Sequence, residues 1–213
     1  MTNYDVYLFD LDGTLTDTSK IWLEIYRDAL KEFGISGLTD KEIAAQTHDW
    51  KHIVNLGLDP KDLPEFTSLA YRLCNERIPH APFHRGAEEM LSNLRSKGKI
   101  LGIFTTMDRP LLEPVIKQKL LDEKFDVIVA GTDVENRKPQ PDGVLYALKK
   151  LGHQPSEKIV YIGDKDTDIL CGRNAGVETI LFFPSHHGEV YDRAPLEASE
   201  PHHEISDWNE LLV

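Results

Sequence analysis

Asp10 and Asp12, separated by one residue, stand at the end of a short apolar run, Val6-Tyr7-Leu8-Phe9, and are followed at once by Gly13-Thr14. A carboxylate in such a place can attack phosphorus and carry the phosphoryl group for a moment, which splits one difficult hydrolysis into two easier steps. A second carboxylate two residues on can give a proton to the leaving oxygen and later take one from water. The same pair could equally ligate calcium or sit solvated in a turn, so the pair alone does not decide.

Partners recur further along the chain, each just after an apolar run. Thr105 and Thr106 follow Ile100-Leu101-Gly102-Ile103-Phe104; Lys138 lies beyond the next run; Asp164 and Asp168 follow Ile159-Val160-Tyr161-Ile162-Gly163. Several carboxylates converging on phosphate repel it unless a hard divalent cation sits among them, and oxygen ligands in this number suit Mg²⁺. Lys138 and the Thr105 hydroxyl would neutralise and position the phosphate oxygens. A calcium loop is a poorer reading: counted from Asp164 it needs Gly at the sixth position and Glu at the twelfth, where the chain has Ile169 and Ala175.

These residues meet only if the elements carrying them are arranged in one way. Residues 6–9 have the continuous apolar character of a strand buried on both faces, and Gly13 lets the backbone turn sharply after the carboxylates. From residue 17 to about 83 the periodicity is helical: one helix over 19–33 closed by Gly34, a second starting near Thr39 with Glu42 completing a capping box, and a third within 60–78. Pro79-His80-Ala81-Pro82 marks a linker. Beyond it strands and helices alternate, which implies βαβ crossovers and a parallel sheet. The expected fold is therefore α/β, a doubly wound parallel-sheet core over residues 1–16 and 84–213, with an inserted all-helical domain over 17–83. Residues 184–201 read as a polar excursion before a last short helix at 207–212. All the strand ends named above then lie on one edge of the sheet.

The formal charge of −12 excludes a nucleic-acid or anionic-membrane surface, because both need a basic footprint. Cys74 and Cys171 have no ligand-like spacing and read as reduced thiols. With no signal-like start and no window of about 20 apolar residues, the expectation is a cytoplasmic protein, monomeric or homodimeric, acting on a small molecule. The histidine pairs His186-His187 and His202-His203 read as surface residues, Arg137 as a solvated charge and Asp166 as a helix cap.

The constellation resembles the haloacid dehalogenase superfamily, whose four motifs are matched in order by Asp10-Leu11-Asp12-Gly13-Thr14, by Thr105, by Lys138-Pro139 and by Gly163-Asp164-Lys165-Asp166-Thr167-Asp168. The resemblance implies Asp10 as nucleophile, Asp12 as acid/base, and Thr105 and Lys138 as phosphate contacts. It implies a Mg²⁺ site made by Asp10, Asp164 and the backbone carbonyl of Asp12, with Asp168 ligating the ion or orienting its waters. The helical segment resembles the small alpha-helical cap of phosphoglycolate phosphatases and beta-phosphoglucomutases. Dehalogenases and phosphonatases of that family lack an acid two residues after the nucleophile, so Asp12 points to phosphate esters. Mutases of this cap type carry a hinge histidine where this chain has Trp22, which favours a phosphatase acting through an aspartyl-phosphate. Beta-phosphoglucomutase-like transfer and a non-catalytic phosphate-binding module are the alternatives.

Specificity is expected from the cap stretch Gln46-Thr47-His48-Asp49-Trp50-Lys51-His52. His48, Trp50, Lys51 and His52 offer donors, a cation and an aromatic face to a small phosphorylated metabolite, with Thr106 adding a backbone N–H from the sheet edge.

Overall fold

The computed structural model describes residues 3–46 and 50–212. Strand β1 (Val6–Phe9) is buried along its whole length, with Val6 and Leu8 in one layer of the core and Tyr7 and Phe9 in the other. Successive side chains of a strand point to opposite faces, so a strand covered on both sides must be apolar throughout. On one side β1 pairs with β2 (Ile100–Phe104), which pairs with β3 (Val127–Val129); on the other it pairs with β4 (Ile159–Gly163), followed by β5 (Glu178–Phe182) and β6 (His203–Ile205). Every pairing is parallel, and the order β3-β2-β1-β4-β5-β6 is that of a doubly wound sheet. The chain works outward from β1 to β3 and then crosses back to β4. The switch point, where ligands enter such sheets, thus falls between the carboxyl ends of β1 and β4.

Between β1 and β2 come helices α1 (Ser19–Glu32), α2 (Asp40–Ala44), α3 (Leu63–Arg77) and α4 (Ala87–Ser96), the last packing under the sheet. Thr39 caps α2 in the expected box with Glu42, and Gly34 closes α1 with a φ of +76°. Tyr26, Trp50 and Phe66 form an aromatic centre for the helical segment, with the Tyr26 and Trp50 rings 5.1 Å apart. The two chain passages joining this segment to the sheet run side by side: Thr16 bridges Phe83, the Asp17 N–H donates to Pro82 O (2.9 Å) and the His84 N–H to Leu15 O (2.9 Å).

The remaining helices are α5 (Arg109–Lys119), α6 (Leu121–Lys124), α7 (Asp142–Leu151), α8 (Asp166–Ala175) and α9 (Arg193–Ala198). Residues 184–201 are more ordered than their polarity predicts, holding a 3₁₀ turn (Ser185–Glu189) and α9, and the next residues form the edge strand β6. The short final helix is a 3₁₀ turn (Trp208–Leu211) whose Trp208 stacks on Phe182 at 4.4 Å. His187 is fully buried, so the surface reading of that residue is corrected: it packs among Phe182, Phe183 and Tyr191. Among the described residues no helix is long and apolar enough to cross a membrane.

Candidate active site

Asp10 is the first residue beyond β1, and its N–H still belongs to the ladder, donating to Ile162 O at 2.8 Å. The side chain is thereby delivered to the switch point. Lys138, from the loop before α7, reaches in with its side chain 3% exposed and places Nζ 2.7 Å from Asp10 Oδ1 and 2.7 Å from Asp168 Oδ1. Its ammonium also lies over the rings of Phe104 and Tyr161. Burial works against this charge, but the two carboxylates hold the Lys138 pKa above the ordinary lysine value. Asp168 is fixed further by the Lys165 N–H, which donates to Oδ2 at 3.0 Å. That contact caps α8, whose first residue is Asp166, so the capping role foreseen for Asp166 falls to Asp168 instead.

Asp164, at the end of β4, is fully buried; its Oδ1 accepts from Thr14 Oγ1 at 2.9 Å, while Oδ2 has no hydrogen-bond partner among the described residues. Carboxylate oxygens of Asp10, Asp164 and Asp168 lie within 4.8 Å of one another. Burial first, and then their mutual repulsion, lift Asp10 and Asp164 above the ordinary carboxylate range. Two glycines make this approach possible. Gly13 has a φ of +81°, and a Cβ there would lie 2.9 Å from Asp164 Cγ; a Cβ on Gly163 would overlap the Asp168 side chain. An orphaned buried oxygen, three convergent carboxylates and a cradle kept open by glycine fit a hard divalent cation.

Asp12 lies one turn further on, beside a cavity of about 360 Å³ between the sheet edge and the helical segment. Its Oδ1 accepts from Trp22 Nε1 of α1 at 3.2 Å. Burial raises its pKa, opposed by the contacts from Trp22 and Thr18. Thr105 is buried at the end of β2 with its Oγ1 accepting from the Met107 N–H at 3.2 Å, and Thr106 is exposed and lines the cavity. Trp50 lines the cavity from the helical side. Lys51 and His52 are exposed and are not among its lining residues, and His48 lies outside the described residues.

Trp22, Arg137 and Asp108 are cavity residues that the sequence did not assign to the site, and Lys165, which the sequence left open between substrate contact and solvent, joins them on the wall. Lys165 places Nζ 5.8 Å from the Tyr191 ring centre. Arg137, read as a solvated charge, also lines the cavity, donating to Thr106 O at 3.3 Å and pairing with Asp108. Asp108 in turn accepts from the Tyr71 hydroxyl of α3, so one carboxylate ties the helical segment to the loop that carries Lys138. Only the adjacency of Lys165 to Asp164 and of Arg137 to Lys138 hinted at these roles.

The model of the haloacid dehalogenase-like hydrolases matches residues 7–182. The chain belongs to that family. Among similar proteins, the pyrophosphatase PpaX of Bacillus cereus (strain AH820) is 30% identical over 207 residues, covering 96% of this chain and 93% of the relative. A Bacteroides fragilis crystal structure described as a haloacid dehalogenase-like hydrolase superposes with a TM-score of 0.83 at 27% identity, covering 98% of this chain and 99% of that one. A Haemophilus somnus 129PT structure described as a predicted phosphoglycolate phosphatase shares the fold at a TM-score of 0.86 and 21% identity, covering 100% and 98%.

Proposed function

We propose that the protein is a Mg²⁺-dependent phosphatase of a small phosphorylated metabolite, working through an aspartyl-phosphate on Asp10. The observation that carries this reading is the placement of Lys138 Nζ between Asp10 and Asp168 at 2.7 Å from each, beside the cavity lined by Asp12. Asp10 Oδ attacks phosphorus, the ester P–O bond breaks, and the leaving oxygen takes the proton of Asp12. Water then gives a proton to Asp12 and attacks phosphorus, the bond to Asp10 breaks, and inorganic phosphate departs. Lys138 and the Thr105 hydroxyl hold the phosphoryl oxygens, with the Thr106 N–H beside them. Asp10, Asp164, Asp168 and the Asp12 carbonyl would hold Mg²⁺, which when bound offsets charge on the phosphoryl group.

Residues 17–83 act in this reading as a cap over a core of 1–16 and 84–213. Trp50 is the proposed cap contact; Lys51 and His52 do not line this cavity and are not carried into the proposed set, and His48 lies outside the described residues. Trp22 speaks against mutase chemistry: an indole N–H can donate to Asp12 but cannot relay a proton.

A second reading, inorganic pyrophosphate as substrate, is favoured by Arg137 and Lys165, two further cations on the cavity wall suited to a second phosphate, and by the similarity to pyrophosphatase PpaX. Turnover of p-nitrophenyl phosphate, pyrophosphate and a panel of phosphorylated metabolites with Mg²⁺, repeated with a chelator, tests both. Chelator-sensitive phosphate release is expected. A folded protein that releases none from any of them overturns the proposal.

A further inference from the structure

Against the Gly13 carbonyl lies a second cluster of ligand-type side chains that the chemistry above does not use. One ring nitrogen from each of His84, His186 and His187 lies within 4.8 Å of the other two. The ring centres are 5.6 Å apart for His84–His186, 5.7 Å for His84–His187 and 4.8 Å for His186–His187. His84 is 7% exposed and His187 is fully buried. Neither ring nitrogen of His187 has a hydrogen-bond partner among the described residues, and neither does Nε2 of His186. Native proteins rarely bury three such nitrogens unsatisfied at one spot.

Other groups around the cluster have the character of a ligand shell. His84 Nε2 lies 3.0 Å from Gly13 O, and a proton on Nε2 donated there leaves Nδ1 with its lone pair; ligating histidines commonly make such a backbone contact through the other nitrogen. Asp17 Oδ1 is 3.8 Å from His186 Nε2, long for a hydrogen bond and longer than the roughly 3.3 Å between two ligands on one tetrahedral ion, so Asp17 is the nearest carboxylate and would close in by a small side-chain shift. Phe182, Phe183 and Tyr191 close the apolar side.

We propose that His84, His186 and His187, with Asp17 as fourth ligand, form a second metal site for a Zn²⁺-class cation, separate from the carboxylate site. Imidazole nitrogens select Zn²⁺, Co²⁺ or Ni²⁺, whereas Mg²⁺ demands oxygen, so the two sites sort their metals by ligand type. Its place in the fold gives it a purpose. Asp17 and His84 sit on the two side-by-side passages that join the helical segment to the sheet, and His186 and His187 sit on the turn after β5. An ion there would pin both passages to the core behind the active-site loop.

The test uses the full chain stripped of metal, titrated with Zn²⁺ in excess Mg²⁺ against a chromophoric competitor, with metal content measured after desalting. His186 is partly exposed, so His186→Ala is the variant least able to disturb folding, and its metal-free melting temperature checks that it folds. Asp164→Asn reports Zn²⁺ held by the carboxylates instead. The expected result is one tightly held Zn²⁺ per chain in the parent and in Asp164→Asn, and affinity at least about 100-fold weaker in His186→Ala. Zn²⁺ should also raise the melting temperature of the parent and not that of His186→Ala. Equal Zn²⁺ retention by His186→Ala, loss of the ion in Asp164→Asn, or no retention by the parent would each overturn the site.

Discussion

Trp22 Nε1 donates to Asp12 Oδ1 across 3.2 Å, so the first turns of α1 orient a carboxylate of the active-site loop ten residues earlier. The indole is also held in place, with its ring 6.2 Å from those of Tyr26 and Trp50. Trp22→Phe keeps most of that packing and deletes the donor. A hydrogen bond to a charged group contributes about 1.5–3 kcal/mol, so kcat should fall by roughly 10-fold or more with KM little changed. Steady-state kinetics on p-nitrophenyl phosphate decide it; an unaltered kcat would mean that Asp12 needs no such support.

Among the described residues, Lys138 is the one cation that pairs with both Asp10 and Asp168. Lys138→Met preserves the length of the side chain and its contact with Phe104 and Tyr161, but leaves two buried carboxylates facing each other. Breaking a buried pair costs about 3–5 kcal/mol of stability, and loss of a charge aimed at the phosphoryl oxygens about 10²–10³-fold in kcat. Urea unfolding and turnover measured on the same preparation should show both losses. A drop in stability alone would remove Lys138 from the phosphate site.

Gly13 and Gly34 both hold left-handed backbone, at φ of +81° and +76°, yet only Gly13 is crowded: nothing lies within 4 Å of a Cβ on Gly34. Alanine at either should cost about 1 kcal/mol or more through backbone strain. Gly13→Ala alone should also displace Asp164 and raise the Mg²⁺ concentration needed for half-maximal activity. The pair of variants, compared by urea midpoint and by Mg²⁺ titration, separates strain from crowding; equal Mg²⁺ requirements would show that the cradle does not serve the ion.

What could be read from the sequence was whatever has a short period or sits at a strand end. The run Val6–Phe9 is apolar at every position because both faces are covered, and Asp10, Thr105 and Asp164 each follow a strand directly, so their convergence follows from the parallel topology. Thr39 and Glu42 gave α2 away because a capping box is local. Strand β6 escaped because it is a three-residue edge strand in which only Ile205 is buried, leaving no alternation to detect. Trp22 and Arg137 escaped, and Lys165 stayed open between substrate and solvent, because direction is a tertiary property: each belongs to a stretch whose charge or periodicity is equally consistent with solvent. The grouping of His84 with His186 and His187 joins positions about a hundred residues apart, and only the docking of the turn after β5 against residues 15–17 and 82–84 brings them together.

The proposed mechanism requires Asp10 to become covalently attached to phosphate. Asp12→Ala keeps Asp10, Lys138 and the carboxylate cluster while removing the proposed base, so it should accumulate the proposed intermediate. Mixed with substrate and Mg²⁺, quenched in acid and digested, it should yield a phosphoryl group on the peptide bearing Asp10 and on no other. A parent enzyme that turns the substrate over while neither protein ever shows phosphate on Asp10, or shows it on another residue, would contradict the mechanism.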